Sequence, residues 1–339
     1  MTTAPSSLRV AALQLRSENG RVQHNLEHAR PFIQQAAERG AQLLLLPELY
    51  PTGYLQSPDI WKAGEPLDGP TVRFLTQQAA LWRVHVGTSF LEAEGEDFYN
   101  TFVLVSPSGR VHRVRKRRAP SYEAYWFRGS GEDPCLIDCE LGRISVGICA
   151  DNHFEDMAGC IERGRAQLHL MPHCYCVPHA NPKTFPAELI AASCRQVETL
   201  PVRYASHFGL PVVLANQCGP WNSPLPPPMG SMVQTDRFLG RSSIVSATGA
   251  RLCSLGEAEE GVLVDTVELR PAHQPGDERK IAQARGRWGW TSLGEPTFAT
   301  AALAFKIGAM EWWARRGYRR SAQRKQSARR ARSGEAPPA

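Results

Sequence analysis

The chain has 339 residues, 42% hydrophobic and 21% charged, the make-up of a folded globular protein rather than a collagenous or disordered one. Its formal charge of +6 is concentrated at one end: nine of the 39 Lys+Arg but only two of the 33 Asp+Glu lie from Glu311 onward, which leaves the rest at −1. That excludes a basic binding face spread over the fold, and the longest apolar stretch, Phe298 to Trp313, is broken by Lys306 and Glu311 and does not make a membrane span.

Leu8 to Leu15 reads as a short apolar strand. Asn25 to Arg39 then places Leu26, Ala29, Ile33, Ala36 and Ala37 at helical spacing before Gly40. Leu43-Leu44-Leu45-Leu46, stopped by Pro47, suits a strand covered on both faces. A helix over Thr71–Trp82 leads to a strand at Val84–Leu91, and Phe98–Ser106 and Arg110–Arg115 flank Pro107-Ser108-Gly109 as a hairpin. Further strands are expected at Ile144–Ile148, Leu168–Met171, Pro211–Ala215, Ser242–Val245 and Gly261–Asp265, with helices at Glu155–Arg163 and Ala187–Phe208. No internal repeat is visible. Pro224 to Pro228 reads as a proline-rich loop. The alternation of βα units and hairpins implies an α/β layer fold of helices on mixed sheets.

The strand–helix rhythm stops near Pro271, and from Ser321 the composition is basic and polar, that of a disordered tail. Residues 271–320 contain Leu303, Phe305, Ile307, Met310, Trp312 and Trp313, too apolar to be free, and are expected to pack as a helix on the body or on a second subunit. The first seven residues show no basic start followed by an apolar run, so the sequence reads as cytoplasmic. Reduced thiols are then the expectation for its nine cysteines, most of them packed as small hydrophobes.

Three segments place a reactive side chain after a strand. Glu48 follows Leu43–Pro47, at the edge of an apolar core where desolvation favours a general base; a solvated loop glutamate is the bland alternative. Arg113 to Arg118 holds five basic residues in six positions, and alone reads as a solvated face or a phosphate patch, with Lys116 in its middle. Ile144–Ile148 ends in Cys149-Ala150-Asp151, a strand–turn–helix presentation that exposes a nucleophile and offers the Ala150 amide to an oxyanion; otherwise Cys149 is one more packed thiol.

Taken together, these segments resemble the nitrilase superfamily in order, spacing and context over residues 8–270. Leu45-Leu46-Pro47-Glu48-Leu49-Tyr50, with Thr52-Gly53-Tyr54, is similar to its glutamate box. Arg115-Lys116 with Pro120, then Glu123 and Phe127-Arg128-Gly129, is similar to its lysine box. Gly147-Ile148-Cys149-Ala150-Asp151 with Phe154 is similar to its cysteine box. Leu168 to Pro172, Val212 to Asn216 and Phe238 to Ser242 add further matches.

The resemblance implies a four-layer α-β-β-α sandwich and a cysteine hydrolase of non-peptide carbon–nitrogen bonds. Glu48 would be the base, Lys116 the oxyanion partner, Cys149 the nucleophile and Glu123 a second glutamate orienting Lys116. Ala150, Tyr54, Phe154, His173 and Cys174 would line the oxyanion site and pocket. No metal or organic cofactor is implied, and homodimers or higher homo-oligomers are. Arg118 stands where a histidine is usual, and Glu155-Asp156 and Gly159 replace the usual Pro-Glu and arginine. Ala150-Asp151-Asn152 leans toward amide or carbamoyl substrates, with nitrile hydrolysis as the alternative.

Competing readings are weaker. His169, His173, Cys174, Cys176 and His179 crowd into eleven residues, but their spacing fits no common zinc knuckle, so pocket wall is preferred to metal. The arginines from Arg315 to Arg332 invite nucleic acid or anionic lipid, yet no aromatic is interleaved after Tyr318 and no nucleic-acid fold signature accompanies them. A catalytically silent scaffold is disfavoured by four intact catalytic-type residues.

Overall fold

The computed structural model describes residues 6–131, 134–180, 186–224, 233–284 and 301–333. The first half of the chain runs β1 (Ser7–Gln14), α1 (Val22–Glu38), β2 (Leu43–Leu45), α2 (Pro70–Trp82), β3 (His85–Glu94), β4 (Asp97–Val105) and β5 (Val111–Arg115). The second runs β6 (Leu136–Cys139), β7 (Gly142–Val146), α3 (Asp156–Arg163), β8 (Leu168–His173), β9 (Cys176–Pro178), α4 (Ala187–Phe208) and β10 (Val212–Asn216). It continues with β11 (Cys218–Pro224), β12 (Val233–Leu239), β13 (Ser243–Val245), β14 (Arg251–Ser254), β15 (Gly261–Glu268), α5 (Glu278–Ala284), α6 (Ala301–Arg320) and α7 (Ala322–Ser333).

Period-two alternation builds the layers. β1 sends Leu8, Val10 and Ala12 into one buried cluster and Ala11 and Leu13 into another, and β2 divides Leu43 and Leu45 from Leu44 in the same way. The first set meets Ile144, Val146, Leu168, Leu170 and Val213 of the second half, forming the core between two sheets. The other set is covered by Leu26, Ala29, Ile33 and Ala36 of α1 and Leu75 and Ala79 of α2. Val197, Leu200, Tyr204 and Phe208 of α4, with Ile161 of α3, cover the far face of the second sheet. The result is the α-β-β-α sandwich. α4 begins after Pro186 and ends at Gly209, whose φ of 68° lies in the left-handed region that stops a helix.

The strand directions hold a repeat that the residues do not show. The first sheet is ordered β15-β1-β2-β3-β4-β5, with successive pairs antiparallel, parallel, parallel, antiparallel, antiparallel. The second, ordered β6-β7-β8-β10-β13-β14, has the same succession. β2 and β8 are therefore equivalent middle strands of two parallel trios. A third sheet, β11-β12-β9, was not expected, because its strands hold glycine, prolines and polar residues. Pro224 closes β11, and the rest of the proline-rich loop lies outside the described residues.

Two expectations need correction. Where composition implies disorder from Ser321, α7 runs from Ala322 to Ser333. Its inward positions, with Ser321 just before it, are Lys325 and Ala328: the Lys325 ammonium lies 3.5 Å from the Tyr318 ring centre, and Ala328 joins a cluster with Trp61 and Trp126. A lysine and small residues at helical spacing carry no hydrophobic signal, so the pattern is silent. Residues 334–339 lie outside the described residues. Cys135 and Cys160 are joined in a disulfide across a Cα–Cα distance of 6.3 Å, against the expectation of reduced thiols throughout; the other seven cysteines are free.

α6 lies against the turn at 121–125: Glu311 accepts the Ser121 amide at 3.1 Å, and the Tyr318 hydroxyl accepts the Phe98 amide at 3.0 Å. Trp312 is 61% exposed and Trp313 partly buried, while the side chains of Leu303, Phe305 and Ile307 lie outside the described residues. Among the described residues no helix is long and apolar enough to cross a membrane.

Candidate active site

The ends of the parallel strands of both sheets meet at one place. Glu48 leaves β2 through Pro47, and its backbone is pinned to the second half of the chain: its N–H donates to His173 O at 3.2 Å, and its carbonyl accepts Gln217 Nε2 at 2.8 Å. Leu49 follows with a left-handed φ of 48°, held by its N–H on Ser89 Oγ at 2.8 Å. The carboxylate is fully buried, and four donors reach it. Oε1 accepts from Asn100 Nδ2 and Lys116 Nζ, both at 2.7 Å; Oε2 accepts from the Cys174 N–H at 3.0 Å and its thiol at 2.8 Å. Glu48 is thus no solvated loop residue.

Lys116 comes just after β5 and is also fully buried. Its ammonium donates to Glu48 and, at 2.7 Å, to Glu123 Oε2; Glu123 sits on the 3-10 turn Ser121–Tyr125 and accepts the Tyr54 hydroxyl at 2.8 Å on its other oxygen. Burial opposes the ammonium, but the two carboxylates outweigh it and hold Lys116 well above its ordinary value. Burial pushes Glu123 up to about 7, against the downward pull of Lys116. The rest of the basic run is absorbed elsewhere: Arg113 and Arg115 pair with Glu92 and Glu94, and Arg117 and Arg118 with Asp156. It is neither a free face nor a phosphate patch.

Cys149 opens the 3-10 turn Cys149–His153 directly after β7 and Ile148. Its φ of 48° is a strained value for a residue with a Cβ, as at the elbow that lifts a nucleophile off a strand. Asn152 clamps this elbow from below, donating to Gly147 O at 2.7 Å and Cys149 O at 3.1 Å, while its Oδ1 pairs with His169 Nε2 at 2.9 Å. A Cβ on Gly147 would lie 2.0 Å from Asn152 Oδ1, so glycine is required there. Asp151 accepts the amides of Arg117 and Arg118, each at 3.2 Å, which ties the elbow to the lysine loop; burial pushes its carboxyl up to about 7.

Cys149 is half-buried as a residue, and its sulfur is hydrogen-bonded to the thiol of Cys174. That bond favours the thiolate, but burial and the Glu48 charge outweigh it and hold the thiol above its ordinary value. Cys149 rests as a thiol that a base must deprotonate.

The residues expected to line the pocket stand in different surroundings. Ala150 is next to Cys149 in the turn, and Tyr54 rests on Trp221 with ring centres 5.3 Å apart. Phe154 lies 4.5 Å from the Arg118 guanidinium. His173 ends β8 with Nε2 at 3.2 Å from Asn152 Nδ2, and burial holds its imidazole well below the usual range. The neighbouring segments 173–183 and 221–232 extend outside the described residues.

The crowded histidines and cysteines do not gather around one point: His169 turns to Ser145 and Asn152, and Cys174 to Glu48. Among the described residues the one group with ligand atoms close enough for a metal is His85, Cys139 and Glu140, at strand ends away from these residues. Sequence reasoning missed Asn100 and Gln217, which hold Glu48, and Asn152, which holds the cysteine elbow; a buried amide leaves no mark in the pattern.

A family profile described as carbon-nitrogen hydrolase matches residues 9–274. A nitrilase from Pyrococcus abyssi is 26% identical over 77% of this chain and 90% of its own length. An N-carbamoylputrescine amidase from Solanum lycopersicum is 24% identical over 83% of this chain and 89% of its own. Among solved structures, a carbon-nitrogen hydrolase from Helicobacter pylori G27 superposes with a TM-score of 0.66 at 21% identity, covering 78% of this chain and 89% of that one. A mutant of an amidase from Nesterenkonia sp. AN1, carrying acrylamide added at its active-site cysteine, superposes with a TM-score of 0.58 at 25% identity, covering 76% and 92%.

Proposed function

The chain belongs to the carbon–nitrogen hydrolase family, and from that premise we propose that it hydrolyses a small amide or carbamoyl compound through a thioester on Cys149. Glu48 takes the thiol proton as the sulfur attacks the carbonyl carbon. The oxyanion that forms is met by the Lys116 ammonium and by the Ala150 N–H, which lies at the start of a 3-10 turn where amides have no partner within the turn. The tetrahedral adduct collapses and expels ammonia or an amine, which carries away the proton held by Glu48. Water deprotonated by Glu48 then opens the thioester and releases the acid. Glu123 and Asn100 fix the ammonium and carboxylate, so little reorganisation accompanies the charge movement. No cofactor enters these steps.

The observation that carries the reading is the Lys116 ammonium clamped between two buried carboxylates beside a cysteine on a strained elbow. The amide and carbamoyl preference draws on relatives named omega-amidase, citrullinase and N-carbamoylputrescine amidase. A nitrile substrate is the second reading, favoured by the nitrilase matched over most of its length. Homo-oligomers and a cytoplasmic location belong to the same proposal. Ammonia release across a panel of amides, carbamoyl amines and nitriles tests it. Release from amides or carbamoyl compounds, abolished in Cys149→Ala, is expected; release from nitriles alone selects the second reading, and full activity in Cys149→Ala overturns both.

A further inference from the structure

Cys174 stands directly after β8, the strand topologically equivalent to β2, so it faces Glu48 across the junction of the two sheets. Both its polar groups are committed to the site: the N–H and the thiol meet the same oxygen of Glu48, at 3.0 and 2.8 Å, and the sulfur is hydrogen-bonded to Cys149. The other oxygen of Glu48 is filled by Asn100 and Lys116. The four donors that reach the carboxylate therefore do not include Cys149, and the link between nucleophile and base runs over the Cys174 sulfur.

We propose that Cys174 is a further catalytic residue, a thiol that holds Glu48 in the resting site and turns its S–H to the Cys149 sulfur when that sulfur becomes a thiolate. The inference rests on the hydrolase reading above. The balance is simple: Cys174 passes its S–H proton to Glu48 as it takes the proton of Cys149, so it remains a thiol, and its hydrogen bond moves from a carboxylate that has become neutral to a sulfur that has become charged. An S–H is a weak donor to neutral groups and a better one to an anion, so the exchange favours the thiolate. Cys174 is itself buried, which keeps its thiol protonated and prevents it from competing as a nucleophile. The other charged or titratable groups acting on the pair include Glu48, Lys116, Glu123, Cys176 and Tyr54.

The test compares wild type, Cys174→Ala and Cys174→Ser in the full-length chain. Iodoacetamide alkylation of Cys149 is read by peptide mass spectrometry from pH 6 to pH 10, alongside kcat and KM for a released-ammonia substrate. In Cys174→Ala the alkylation profile should move up by about one pH unit, a tenfold slower reaction on its rising limb, with kcat falling about as far and KM little changed. Cys174→Ser should restore most of both, because its hydroxyl can donate to the same two partners. Alkylation of Cys174→Ala that is as fast as wild type, or faster, at every pH overturns the proposal. So does a serine variant that behaves as the alanine variant. Failure of the hydrolase reading appears separately, as ammonia release that survives Cys149→Ala, and leaves the alkylation comparison intact.

Discussion

The two sheets share one succession of strand directions, yet they deliver opposite kinds of chemistry to the place where they meet. The first supplies Glu48 after β2 and Lys116 after β5, both fully buried, the carboxylate held by four donors and the ammonium by two carboxylates. The second supplies Cys149 after β7 and Cys174 after β8, two thiols, the first on a half-buried residue with strained backbone. The difference teaches that buried charges and the proposed nucleophile have different structural needs. Buried charges must be paired and fixed, because leaving one alone costs several kcal/mol. A nucleophile must be reachable, and can be held in an unfavourable conformation only if something beneath it, here Asn152, over-determines the turn.

Three substitutions break that division at different points. Lys116→Met on the charged side should have the largest effect. It removes the cation between Glu48 and Glu123, so activity should fall by at least about a hundredfold and stability by about 3–5 kcal/mol in denaturant titration. Gly147→Ala on the nucleophile side should come next. Its methyl displaces the Asn152 amide, costing about 1–3 kcal/mol and a larger share of kcat than of KM, since the elbow moves while the charged array stays.

The mildest change is Glu123→Gln, read through pH. Glu123 accepts from both Lys116 and Tyr54, so its ionised form is the competent one. With its carboxyl pushed up to about 7, kcat/KM should fall as pH falls through that value. In Glu123→Gln this acid limb should vanish or move, whereas Asp151→Asn, at a carboxyl also near 7, should leave the limb of Glu123 in place. Stability runs the other way. A carboxyl raised in the folded state stabilises fully below its unfolded value of about 4.3 and loses that contribution as pH rises through the folded one. Activity and this part of stability therefore oppose each other across that window.

Much of this was legible in the chain. Short apolar runs located the strands that lead to Glu48 and Cys149, Leu43–Leu46 stopped by Pro47 and Ile144–Ile148, because a strand covered on both faces is apolar throughout. Pro186 and Gly209 marked α4 to the residue. The amides of Asn100, Asn152 and Gln217 were not legible, since their meaning depends on partners 52, 5 and 169 residues away. Nor was the kinship of the two sheets, which resides in strand direction and not in residue type. Cys174 was visible as one more pocket residue; its bond to Glu48 spans 126 positions and appears only when β2 and β8 are set side by side.

The most direct measurement is acid-quenched turnover followed by peptide mass spectrometry. The account predicts an acyl adduct on Cys149, with the mass of the substrate less the departed ammonia or amine, that builds up early and decays as acid appears. An adduct on Cys174 instead, or steady turnover in Cys149→Ala, would contradict it.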